Sequence, residues 1–392
     1  MRRRRVPGVA LAAGALLVAG CGGSDGSGPG PNPSGALAVR AGGNNVPDRF
    51  SSDLWVHRSW AYSGTWGAPT QARQRGNAIK IWSLDGSGAP TLADSIVIPG
   101  ISTVSDLQVS EDGAVLVAST EGGGNNGLFV YGLASPQSPV LLDSALVSQG
   151  IHTATIADLG GKRYVFAARD PADPALLVYE ITDPSAIVLR TTVPIPPNYG
   201  IHDTFVRDGI AFVFAWNTGV IIYDVGGAGA GGSPEAPVEL SRLVTATDGV
   251  SGGAQVHNGW WFHNPATGER RYLFIGQEGA GVVGAASSGD LHVVDVADLT
   301  HPQEVATFHL AGAGTHNFWV DEERQILYLA YYNGGVVALD VSGTLAGDLS
   351  SRLISQIQPG GAGNTYTWGV QLSGGSLYAI DMLSGLWQLS VP

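Results

Sequence analysis

Histidine is the side chain here best suited to chemistry near neutral pH, and five of the nine histidines recur at a near-constant interval. His57, His152, His202, His257 and His316, with Asp106 and Trp368 completing the series, each stand just ahead of a short apolar run. The gaps between successive members are 49, 46, 50, 55, 59 and 52 residues. If repeated elements carry these side chains to one axis, three chemistries are open. Each histidine can donate a ring N–H to a backbone carbonyl of its own or the next unit, a structural lock copied with the repeat. His152, His202, His257 and His316 can instead converge on a Cu, Fe or Zn ion, with Asp106 as a fifth ligand, if they approach within roughly 2.0–2.2 Å of it. A histidine–carboxylate pair such as His202 with Asp203 can also serve metal-free acid–base or ligand-binding work, although neighbours on a strand point to opposite faces.

Such residues need a repeated frame, and the runs behind them supply one. Residues 201–209 read I-H-D-T-F-V-R-D-G, followed by I-A-F-V-F-A-W-N, G-V-I-I-Y-D-V and P-V-E-L-S-R-L-V-T. These are four β-branched or aromatic runs separated by Gly, Asp, Asn and Pro, which is strand-and-turn chemistry. The units at His152 and His316 repeat the pattern, and a helical period is hard to find anywhere downstream of the N-terminal segment. A period near fifty residues built of four short strands predicts an all-β, seven-bladed β-propeller with four-stranded blades. After Trp368 only three strands remain before Pro392. An unpaired edge there would leave backbone groups unsatisfied. The segment A-L-A-V-R-A-G (residues 36–42) is therefore expected to supply the fourth strand, pairing near Leu386–Ser390 and closing the ring.

The N-terminus runs from four arginines (Arg2 to Arg5) through an apolar stretch to V-A-G-C at Cys21, the chain's single cysteine. The apolar run is too short to span a bilayer and reads as an export signal over residues 1–20. Its ending resembles a bacterial lipobox, which implies lipidation at Cys21 and a location in the bacterial cell envelope, outside the cytoplasm. Residues 21–35 are Gly/Ser/Pro-rich and read as a tether, leaving 36–392 for the propeller. Removing residues 1–20, with their four arginines, takes the formal charge from −13 to −17. No basic run remains, which argues against a nucleic-acid partner and leaves the lipid anchor as the one membrane contact. A monomeric domain is expected.

Third strands end in V-I-I-Y-D-V, L-H-V-V-D-V, V-V-A-L-D-V and L-V-Y-E-I, two of them leading into Asp183-Pro184 or Thr300 to Pro302. This resembles the LVIVD-repeat β-propellers, including the choice-of-anchor B group of bacterial surface proteins. The likeness runs from about Leu54 to Val391. Ser83, Gly132 and Ser390 stand where units one, two and seven depart from the acidic position. The resemblance implies a surface propeller and says little about activity.

Other features are secondary. Trp260 and Trp261 can stack on sugar rings or quinones, although such pairs more often fill cores and blade interfaces. Residues 281–290 lengthen one unit, and the Gly/Ala/Pro stretch from Gly226 to Pro237 reads as a flexible surface loop. The run E-G-G-G-N-N-G at 121–127 precedes no helix and is not a phosphate loop. No G-x-S-x-G, H-E-x-x-H or calcium-loop pattern occurs. The reading that follows is a binding module presenting one face to a surface protein or glycan. The alternative is a metal-dependent oxidoreductase or hydrolase working at a histidine-rich channel mouth.

Overall fold

The computed structural model describes residues 35–68, 71, 73–85, 88–170, 173–196, 200–247, 249–250, 252–279 and 281–392. The export signal, Cys21 and most of the tether therefore lie outside the described residues. Seven sheets follow one another along the chain; in six the strands run in sequence order from the inside outward, and in the last the outermost strand comes from the N-terminal side, Ala38–Gly42. The innermost strands are Phe50–His57, Thr103–Val109, Ala154–Leu159, Asp203–Arg207, Val256–Phe262, Phe318–Asp321 and Thr367–Ser373. A single short 3-10 turn, Ser350–Arg352, is the only helical element among the described residues.

The ring closes as the three-strand count at the C-terminus requires. Ala38–Gly42 pairs antiparallel with Gly385–Ser390, with Ala38 opposite Ser390 and Gly42 opposite Trp387. Leu37 is buried just ahead of it, in a cluster with Trp387 and Leu389. One blade exceeds the expected four strands. Gly347–Asp348 adds in parallel to the outer strand Gln303–Phe308 of blade five before the chain returns to complete blade six with Leu353–Ile357.

The core is divided among the blade interfaces. Seven hydrophobic clusters occur, each drawing its residues from two neighbouring blades. Between blades five and six, for example, Phe274 and Val293 meet Leu327 and Leu339, all fully buried. Middle strands such as Ile210–Phe214 and Ile326–Ala330 are buried on both faces, which is why they read as unbroken apolar runs and not as alternating ones. Each fully buried Phe or Leu contributes about 1.5–3 kcal/mol. No disulfide is possible with a single cysteine, so these interfaces hold the disc together.

The loop from Gly226 to Pro237 is not loose. Asp224, at the end of its strand, accepts N–H bonds from Gly226, Gly227, Ala228, Ala230 and Gly232. Although the burial of Asp224 opposes it, this nest of five donors holds the carboxyl at about 2. Glycine content had suggested flexibility; the acid that closes the third strand supplies the order instead.

Removing residues 36–42 should strip the last blade of its outer strand. The expected result is a melting temperature lower by at least about 5 °C, read by scanning calorimetry. An unchanged transition would rule out a stabilising role for the closure.

Candidate functional site

The chemistry of this disc is concentrated along its axis, and a repeated backbone irregularity puts it there. Where each inner strand begins, two of its residues face one residue of the second strand. The pairs are Ser52–Asp53, Ser105–Asp106, His152–Thr153, His202–Asp203, His257–Asn258, His316–Asn317 and Trp368–Gly369. Such a bulge re-aims side chains and exempts neighbours from strict alternation. At the fifth blade the geometry demands glycine opposite the bulge, since a Cβ on Gly276 would stand 2.5 Å from Asn258 Oδ1.

The first member of each pair forms an upper layer. Ring centroids lie 4.0 Å apart for His152 and His202, 4.3 Å for His202 and His257, 4.2 Å for His257 and His316, and 4.2 Å for His316 and Trp368. Blades one and two fill the same layer with Ser52 and Ser105. Two of the seven sequence anchors therefore move. His57 ends its strand five residues beyond Ser52, against Gly113, and does not belong to the ring. Asp106 is the second member of its pair and sits one layer deeper, lining the channel cavity. The repeated S-D-L-x-V at 52–56 and 105–109 carries the true register; the histidine at 57 masked it.

The second strands add a set of residues that the sequence reading missed. Two positions past the residue facing each bulge stand Trp66, Glu121, Asp170, Trp216, Glu278, Tyr332 and Met382. Glu278 Oε2 lies 3.6 Å from Nε2 of both His202 and His257, and its Oε1 lies 4.0 Å from Nε2 of His316. Tyr332 donates its hydroxyl to Glu278 Oε1. Trp216 stacks on His202 at 4.8 Å and Tyr332 packs on His316 at the same distance. Both aromatic residues hold positive φ, +49° and +38°. Bulky residues avoid that region, and such strain collects where function requires a particular placement. The loop over 281–290 reaches the same end, its Gly281 N–H donating to the Tyr366 hydroxyl.

Electrostatics separates the four histidines. Burial and neighbouring imidazoles push His202 and His316 well below the usual range, and burial with nearby His152 takes His257 to about 3. These three are neutral at physiological pH. His152 goes the other way. Its burial is overridden by Glu121, whose Oε1 meets Nδ1 at 2.9 Å, and the imidazole is pushed up to about 9. The structural-lock reading holds only for His316, whose Nδ1 donates to the Trp368 carbonyl at 2.6 Å. Among the described residues, Nδ1 of His202 meets no hydrogen-bond partner.

Below the histidines lies a carboxyl layer. Burial, then the adjacent Asp106, raises Asp53 well above the carboxylate range, and Asp106 is itself raised by burial. Asp203 is pushed up to about 8 by burial and by Asp106. The His202–Asp203 pair is therefore divided between layers: His202 faces Glu278, while Asp203 lines a cavity of about 260 Å³ farther down the axis. That cavity is walled by Trp55, Phe205, Trp260 and Trp319. Adjacent rings touch, with centroids 5.1 Å apart for Trp260 and Trp319 and 5.3 Å for Phe205 and Trp260. Trp260 Nε1–H donates to Glu322, which also takes both guanidinium nitrogens of Arg207. Gln108 and Gln371 tie blade to blade beside it, accepting the N–H of Ile156 and of Val56 at 2.5 Å.

The His152–Glu121 pair has a pH signature. The folded imidazole titrates above its unfolded value, so its contribution is complete below pH 6.5 and is lost as pH rises through 9. Glu121→Gln should remove roughly 3 kcal/mol of stability at pH 6 and almost none at pH 10, measured by denaturant unfolding. Equal losses at both values would refute the assignment.

Solved structures similar to this chain are propellers. The β-propeller domain of Myceliophteria thermophila Cps50 (Swd1) aligns with a TM-score of 0.62 at 12% identity, over 89% of this chain and 99% of that one. Sqt1 from Chaetomium thermophilum gives 0.59 at 12% identity over 87% and 82%, and the C-terminal WD40 domain of Sif2 gives 0.54 at 12% over 87% and 81%. No family model matches the chain, nor does any curated protein. At these identities the likeness establishes the fold: this chain is a seven-bladed β-propeller.

Proposed function

We propose that the chain is an exported, lipid-anchored propeller of the LVIVD-like kind, and that it works as a binding module whose ligand is the neutral sugar end of a glycan. The observation that carries the ligand reading is the cavity of about 260 Å³, lined by four aromatic side chains and by Asp53, Asp106 and Asp203. Small-ligand sites combine mostly apolar walls with a few convergent polar groups. Indole faces offer flat apolar area to the C–H face of a sugar ring. The aspartates discriminate by charge state. Burial raises all three, Asp203 to about 8, so together they present O–H donors as well as acceptors. A polyhydroxyl ligand uses both, whereas a cation is poorly served by neutral carboxyls and an anion finds no positive group among the lining residues. Anchoring rests on the residues around Cys21 alone. It places the disc at the membrane surface, where glycans are plentiful.

Two measurements bear on this reading. A glycan array probed with the full protein should give hits whose affinity in calorimetry falls about tenfold or more in Trp260→Ala or Trp319→Ala. An array without hits, or unchanged affinity in both variants, overturns the ligand class. Binding should also weaken as pH rises through 8, where Asp203 loses its proton, and Asp203→Asn should flatten that dependence. For the anchor, labelled palmitate should enter the wild-type protein in bacteria and not Cys21→Ser. Equal labelling of the two would remove it.

A further inference from the structure

The upper layer carries an inference independent of the sugar reading. We propose that His202, His257, His316 and Glu278 form a binding site for one divalent first-row transition metal ion, through three imidazole nitrogens and one carboxylate oxygen. The ligand atoms of His202, His257 and Glu278 all lie within 4.8 Å of one another. Tetrahedral ligands at metal distances of about 2.0–2.2 Å stand roughly 3.3–3.6 Å apart. The separations of 3.6 Å from Glu278 Oε2 to both His202 and His257 fall at the upper end of that range. His316 Nε2 stands outside this trio, 4.0 Å from the other carboxylate oxygen, Oε1, and would complete the site by moving inward.

At 3.6 and 4.0 Å these contacts are too long for hydrogen bonds. Nε2 of His202, Nε2 of His257 and Oε2 of Glu278 thus converge on one point without direct hydrogen bonds between them. The outer contacts are those that ligands require. His316 donates Nδ1–H to the Trp368 carbonyl, which leaves the Nε2 lone pair free, and Tyr332 holds Glu278 by its other oxygen. Neutral imidazole suits Zn, Cu, Fe and Ni more than Mg or Ca. His152, the fourth histidine of the arc, is not a ligand. Glu121 holds its Nδ1, and it remains a fixed positive charge beside the site.

The test uses the full-length protein in detergent, without a histidine tag and stripped with EDTA. Calorimetry with Zn²⁺ should show one equivalent bound, and Co²⁺ should give the visible spectrum of a tetrahedral site. His202→Ala and the near-isosteric Glu278→Gln should each cost more than about 100-fold in affinity, and Tyr332→Phe about tenfold. His57→Ala, off the ring, should bind as the wild type does. Absence of stoichiometric uptake of Zn²⁺, Cu²⁺ and Fe²⁺ by the wild type overturns the proposal. So does wild-type affinity in folded Glu278→Gln.

Discussion

Where an inner strand meets its neighbour in this ring, two residues must share the space opposite one, and nearly everything on the axis follows from that crowding. A strand in strict alternation would send successive side chains to opposite faces. The bulge lets His202 join the upper layer while Asp203 turns to the cavity beneath, and likewise for His257 with Asn258 and His316 with Asn317. The same backbone step, copied around the ring, produces two stacked layers of different chemistry. The rest of the fold serves to hold seven such steps in register. Side chains from one blade reach backbone N–H groups of the next, as Asp106 does to Ala154 at 2.7 Å, and apolar clusters fill the wedges behind.

The two layers differ because burial acts with opposite sign on acids and bases. It drives the imidazoles of His202, His257 and His316 to their neutral forms and raises the carboxyls of Asp53, Asp106 and Asp203 toward theirs. A region dense in titratable groups thus carries few charges, and those it keeps are compensated, as at His152 with Glu121. This explains how so many ionisable side chains share one axis without tearing the ring apart. It also separates the channel from the outer surface, where the chain's excess of acidic residues faces water.

The fold was legible because blade chemistry is local. Four short apolar runs with turn residues between them, repeated near fifty residues, admit few architectures, and the shortage of one strand at the end named its own remedy. The site was legible only in part. A period in one residue type located four members of the upper layer, yet the histidine at 57 drew the eye away from Ser52, and Asp106 was taken for its neighbour Ser105. Register to a single residue depends on where the bulge falls, and a bulge leaves no residue-type signature of its own. Glu278, Tyr332 and Trp216 were missed for another reason. They lie just past the ends of second strands, and their shared position relative to the bulge appears only once the strands are paired, although the recurrent A-W-N and Y-Y-N runs ahead of Gly219 and Gly335 hinted at it.

The closing strand has a consequence for how the chain becomes a disc. Ala38 and Ser390 lie near opposite ends of the chain, so their contact spans almost the whole sequence. Six blades can assemble in order as they emerge, each on the one before. The first strand has to wait, unpaired, until the final hairpin exists. Ring closure is therefore the step with the longest loop to bridge and the natural bottleneck of folding. Until it happens, the strand Gly385–Ser390 is an open edge, ready to pair with any extended chain nearby, including the first strand of another copy. Exchange of that strand between two discs is the misassembly this topology invites.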